Sequence, residues 1–237
     1  MLHIPKKFGI ISHARTGSTN LLTCLSFHKE VKKRVLYEPF CPDNFELDFF
    51  NSKTDLVNYL KFKMQTKKGF KHLLGQCPIG KSPKNLLDFA FEMLKIKNYN
   101  FIFLRRKNLL DCAISMHLAQ LFGNWASGSK CLAQPTIINI KDLEVKFLYK
   151  KAIEEELELN KSKIKTFYYE DIYLSSKEEK IKNINKILNC LELEEEINQK
   201  MIDWLELKLK INKNFDFIKN INEINNFFME KYNICLN

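Results

Sequence analysis

A short apolar run, Phe8, Ile10 and Ile11, breaks at Ser12-His13-Ala14-Arg15-Thr16-Gly17-Ser18-Thr19. Leu21, Leu22 and Leu25 then fall on one helical face. This pattern predicts a buried strand, a tight loop and a helix N-terminus. Further along, Lys33 to Phe40 reads as a short strand stopped by Pro39 and Pro42, and Asp55 to Lys67 as an amphipathic helix. Phe70 to Cys77 reads as another strand, ended by Pro78 and Gly80. Pro83 to Lys95 reads as a helix with Pro in its first turn and Leu86, Leu87, Ala90, Phe91 and Leu94 facing the core. Asn100 to Leu104 is a buried strand, followed by a helix from about Leu109 to Leu121. Lys141 to Leu159 is a long helix with acidic residues at Glu154 to Glu156 and Glu158. Lys165 to Tyr169 is the last strand, and two or three helices follow.

Strands alternating with helices across short connections predict an α/β fold: a mostly parallel sheet flanked by helices, with a helical C-terminal third. Ligands of such sheets bind at the carboxyl ends of the strands. All seven glycines lie at or before Gly128, so tight, ligand-facing turns are expected in the first half. At 237 residues one domain, 1–237, is expected.

Composition narrows the class. Hydrophobic residues make up 45% and charged residues 28%, ordinary for a globular protein. No apolar run reaches the ~18 residues of a membrane span. The first residues lack a signal-peptide apolar region, which leads to the expectation of a cytoplasmic protein. The seven cysteines are scattered and never form CxxC, so reduced thiols and no metal site are expected. Lys plus Arg total 38 against 28 Asp plus Glu, a net charge of +10. That balance fits nucleic acid, a membrane surface, an anionic small ligand or a plain solvated lysine-rich surface.

Several constellations carry candidate chemistry. Backbone N–H groups and the positive helix end make the Ser12–Thr19 junction an anion site. It is not a Walker A loop: no GxxxxGK is present and the loop has no lysine. Arg15 stands where a loop cation would act and offers a planar fork to a tetrahedral oxyanion; the alternative is a surface arginine in a turn. Arg105, Arg106 and Lys107 follow a strand end, and Ser115 lies nine residues after Arg106 on the next helix. An Arg–Ser pair there grips a second phosphate, unless these are ordinary solvated charges. Glu38, among Tyr37, Pro39 and Phe40, is either a general base or a structural carboxylate. His13 is a second base candidate, or a packing residue. Trp125 either stacks on a ligand ring or packs in the core. Tyr168-Tyr169-Glu170-Asp171-Ile172 reads as mainly structural, orienting loops or bonding helix N-termini.

Taken in order, these segments resemble sulfotransferases that use 3′-phosphoadenosine 5′-phosphosulfate (PAPS). Arg15-Thr16-Gly17-Ser18-Thr19-Asn20-Leu21 resembles the family's 5′-phosphosulfate loop in its carbohydrate-sulfotransferase form. Phe103 to Ser115 resembles the 3′-phosphate motif, and Tyr168 to Ile172 the family's Tyr-Glu-Asp-Leu segment. Tyr37 to Phe40 and Ala119 to Trp125 resemble segments of the bacterial trehalose-type branch. The matches cover about residues 8–172. The resemblance implies a single-domain, P-loop-like sulfotransferase fold and transfer of a sulfuryl group from PAPS to an acceptor hydroxyl, releasing 3′,5′-ADP. It implies that Arg15, Thr16, Gly17, Ser18, Thr19 and Asn20 hold the phosphosulfate and that Arg106 and Ser115 hold the 3′-phosphate. Lys107, eight residues before Ser115, is the rival of Arg106. Glu38 and Arg15 become the catalytic pair, with Phe40 and Trp125 against the acceptor. No metal, no nucleic acid and no membrane insertion are implied; the acceptor is a small molecule or a glycan, and a homodimer is left open. The Arg-Lys-Gly motif that other sulfotransferases carry near the C-terminus is missing. Two other classes remain as alternatives: a P-loop kinase or nucleotide hydrolase, and a non-enzymatic basic module that binds polyanions.

Overall fold

The computed structural model describes residues 6–41, 52–76, 82–123, 135–160, 162, 164–209, 215 and 217–236. Among these residues five strands form one parallel sheet: β1 (Lys7–Ser12), β2 (Val35–Tyr37), β3 (Gly69–Leu73), β4 (Tyr99–Arg105) and β5 (Thr166–Tyr168). Their order is β2-β3-β1-β4-β5, so β1 is central, with β3 on one side and β4 on the other. The chain leaves β1 toward one edge and later returns toward the other, which opens a crevice at the carboxyl end of β1. The α/β class and the parallel sheet expected from the sequence are both present.

The helices are α1 (Ser18–Ser26), α2 (Lys53–Lys63), α3 (Pro83–Leu94), α4 (Leu109–Leu121), α5 (Ile140–Leu159), α6 (Tyr169–Tyr173), α7 (Lys177–Cys190), α8 (Gln199–Leu209) and α9 (Ile221–Tyr232). Strand alternation splits the core. Phe8, Ile10, Ile102 and Leu104 face α1, α7 and α8, where Leu21, Leu22, Leu25, Ile184, Ile187 and Met201 cover them. Ile11, Phe70, Phe101 and Phe103 face the other side, under residues of α2, α3 and α5. A third cluster packs Phe147 of α5 against Phe228 of α9 and Leu110 of α4. Each fully buried side chain of this size stabilises the fold by about 1.5–3 kcal/mol before chain entropy is charged against it.

Caps explain most helix starts. Ser52, Ser82, Asn108, Asn139 and Ser176 each accept a backbone N–H of the following turn. Helix α4 spans the expected Leu109–Leu121. Other elements differ. The Phe70–Cys77 strand ends at Leu73, and Leu74–Gln76 wind into a 3-10 turn. The Lys33–Phe40 strand shrinks to Val35–Tyr37 because Lys33 and Glu38, at φ 62° and 47°, turn the chain at both ends. Helix α2 stops at Lys63, short of Lys67. On α3, Phe89 and Met93 are buried, whereas Phe91 and Leu94 are only partly so. Among the described residues four helices follow β5, the first of five residues. Among the described residues no helix is long and apolar enough to cross a membrane.

Candidate active site

The β1–α1 loop is shaped by two left-handed residues, Arg15 at φ 70° and Gly17 at φ 81°. A Cβ at Gly17 would meet the rings of Tyr173 and Tyr169 at 2.8 and 2.9 Å, so only glycine fits the turn. The Tyr173 hydroxyl donates to the Gly17 carbonyl at 3.0 Å. The Thr16 hydroxyl, fully buried, donates to the His13 carbonyl at 2.9 Å and closes the loop on itself. From below, Lys150 Nζ lies 3.4 Å from the Ala14 carbonyl, and the Cys112 thiol donates to the same oxygen at 3.3 Å. Among the described residues no side chain caps α1. Its first backbone N–H groups therefore carry the partial positive charge of the helix end, a geometry that suits an anion.

His13 does not face this cradle. Its Nε2 lies 3.1 Å from Glu154 on α5, and burial pushes its pKa down, with the Glu154 hydrogen bond opposing. Arg105 joins the same buried group, paired with Glu154 and, at 2.6 Å, with Glu158. This group ties β4 to α5 beneath the loop.

On the β4 side the residues singled out in the sequence come together. Arg106, 3% exposed, donates from Nη1 to the Arg15 carbonyl at 3.2 Å. Its Nη2 lies 3.3 Å from Asp111, its Nε 3.7 Å from Glu170, and its guanidinium 4.6 Å from the Tyr169 ring centre. Arg15 Nε in turn donates to Ser115 Oγ at 3.1 Å. Lys107 points away: it is half exposed and pairs with Asp171 at 2.5 Å. Glu170 accepts the N–H groups of Lys107 at 2.9 Å and Asn108 at 3.3 Å, just ahead of α4. That is the helix-bonding role read for the Tyr168–Ile172 segment.

The β2 and β3 side holds a residue the sequence reading missed. Lys71 on β3 is 3% exposed and bonds both Glu38 Oε1 and the Thr19 hydroxyl. Glu38 Oε2 also accepts the Gln76 amide at 2.6 Å. A cation thus sits beside the loop that carries no lysine, supplied by a neighbouring strand. The available signal was a lysine inside a strand flanked by apolar residues near the sheet centre, where a charge is rare unless paired. Beside Lys71, His72 faces the opposite core between Phe40 and Phe89, each ring 5.4 Å away and edge-on. Burial pushes the His72 pKa down to about 3.

Phe40 needs correcting as an acceptor contact. It is 1% exposed, with its ring turned inward onto His72, Phe89 and Tyr59. The apolar gain of filling the core wins over presenting a ring to ligand. Trp125 lies outside the described residues. Asn20 contributes its carbonyl to Trp204 Nε1 at 3.1 Å. Ser18 is buried in the first turn of α1. Among the described residues no group of three or more His, Cys, Asp or Glu is arranged to hold a metal ion.

No protein-family model matches the chain, and no curated protein matches it. Solved structures do. The chain superposes on the mouse sulfotransferase SULT7A1 complexed with PAP with a TM-score of 0.51 and 16% identity, covering 95% of this chain and 82% of that one. A retinol dehydratase in complex with retinol and PAP superposes more loosely, at TM-score 0.39 and 17% identity, over 98% and 72%. The first likeness establishes the fold: this chain has the α/β fold of that sulfotransferase, built on a parallel sheet.

Proposed function

We propose that this chain is a PAPS-dependent sulfotransferase that moves a sulfuryl group to an acceptor hydroxyl and releases 3′,5′-ADP. The observation that carries this reading is the meeting of Arg15, Arg106 and Ser115 on one flank of the uncapped α1 N-terminus, with Glu38 on the other. Two anion-binding points joined by one hydrogen-bond chain suit a nucleotide with both a 5′ and a 3′ anionic group. A kinase loop needs its own lysine, which this loop lacks. The PAP bound by the mouse sulfotransferase is consistent with the same ligand here.

In this reading the N–H groups of Thr16 to Thr19 and the Ser18 and Thr19 hydroxyls hold the phosphosulfate. Arg106 and Ser115 bind the 3′-phosphate, and Arg15 bridges the two groups. The acceptor oxygen attacks sulfur as the bond between sulfur and the bridging oxygen breaks. That electron pair leaves with the 5′-phosphate, and the acceptor proton passes to Glu38. Arg15 and Lys71 neutralise the charge growing on the leaving oxygen, where one preorganised donor is typically worth about 10²–10³ in rate. The resemblance of Tyr37 to Phe40 to the trehalose-type branch favours a carbohydrate acceptor. Calorimetry tests the reading: 3′,5′-ADP is expected to bind in the low micromolar range or tighter, and ATP with Mg²⁺ much more weakly. Equal binding of both, or none of 3′,5′-ADP, refutes it.

A further inference from the structure

Glu38 sits in a conformation that strains a non-glycine residue, at φ 47°. Its carboxylate is tethered at both oxygens, by Lys71 at Oε1 and by the Gln76 amide at Oε2. A carboxylate only accepts, so chemistry fixes the amide orientation: Nε2 faces Glu38 and Oε1 faces away. That Oε1 is buried and has no hydrogen-bond partner among the described residues. Packing alone would be equally served by an apolar side chain of the same size, which has no amide oxygen to satisfy. The bond to Glu38 is what a glutamine supplies here that methionine cannot.

We infer that Gln76 is a positioning residue for Glu38. The assignment rests on the sulfotransferase reading above. Lys71 alone leaves the carboxylate free to rotate about one contact; Gln76 fixes the second oxygen and with it the direction of the lone pair that takes the acceptor proton. Gln76 touches no reacting atom and exchanges no proton. It stands at the end of the 3-10 turn that interrupts the expected strand, so the turn itself is what brings the amide to Glu38.

Gln76→Met keeps the bulk and removes the donor. Transfer is followed as loss of sulfur-labelled PAPS, with methyl α-glucoside as acceptor and water alone as the second probe. The variant is expected to melt no lower than the unaltered chain, to bind 3′,5′-ADP equally well, and to lose about 10- to 100-fold in kcat with little change in acceptor KM. In a Glu38→Gln background, Gln76→Met is expected to change nothing further, because its effect runs through Glu38. A lower melting temperature, additive losses in the double variant, unchanged kcat, or no PAPS consumption by the unaltered chain overturns the assignment. Calorimetry on the same samples separates the two claims: absent 3′,5′-ADP binding removes the sulfotransferase reading, whereas intact binding with any of those results removes Gln76 alone.

Discussion

The two flanks of the β1 loop are built differently. On the β4 side, cations meet backbone and hydroxyl oxygens: Arg106 on the Arg15 carbonyl, Arg15 on Ser115, with Asp111 and Glu170 balancing charge. On the β3 side, one carboxylate is the centre, and Lys71 and Gln76 converge on it. The first arrangement suits holding a fixed anion; the second suits aiming a proton acceptor. Under the proposed function, the difference means that binding and chemistry have largely separate supports beside one loop, so they should fail separately.

The sharpest break is at Glu38. Glu38→Gln is expected to cut transfer about 10²–10⁴-fold while 3′,5′-ADP affinity stays put. Rate assays beside calorimetry check this, and a matching loss of affinity would erase the division between the flanks. Arg106→Ala is the mirror test. It removes a cationic partner of buried Asp111 and of partly buried Glu170, so a stability loss of up to about 3–5 kcal/mol is expected together with weak 3′,5′-ADP binding. Denaturant unfolding and calorimetry read the two effects. Its neighbour supplies the control: Lys107→Ala, which breaks an exposed pair, is expected to cost less than about 1 kcal/mol and leave binding intact. If the lysine variant loses binding instead, the cation assignment between 106 and 107 is reversed.

A pH-dependent effect, separate from both flanks, comes from His72, behind the β3 side. Its pKa in the fold is about 3, below the ordinary 6.5, so the unfolded chain takes up a proton there that the folded chain refuses. Stability is therefore full above pH 6.5 and falls as pH drops toward about 3, by ~1.4 kcal/mol per pH unit for this one group. Melting curves of His72→Leu should show a shallower loss over that window. Some slope remains, because His13 is depressed in the same direction.

What could be read from the sequence follows the range of each interaction. Helix α4 needs only its Asn108 cap and local periodicity, and its bounds were legible. The loop was legible because Arg15, Gly17 and the hydroxyls lie within a few residues. The choice among Arg105, Arg106 and Lys107 was not, because three adjacent cations look alike until the strand end sends Arg105 to α5 and Arg106 to the loop. Lys71 and Gln76 reach Glu38 across 33 and 38 positions, a distance at which composition and period say nothing. Phe40 was misread because an aromatic beside a candidate base looks like ligand contact until the core claims it.

The strand order has a consequence for inheritance. Because β1 sits at the centre, the segment that supplies Glu38, Lys71 and Gln76 hangs wholly on one half of the sheet, and the segment that supplies Arg106 and Ser115 on the other. If the proposed function holds, a lineage or an engineer can rewrite the first half around Glu38 and Gln76 while Arg106 and Ser115, on the other half, stay as they are, with Lys71 kept because it also holds Thr19 of the loop.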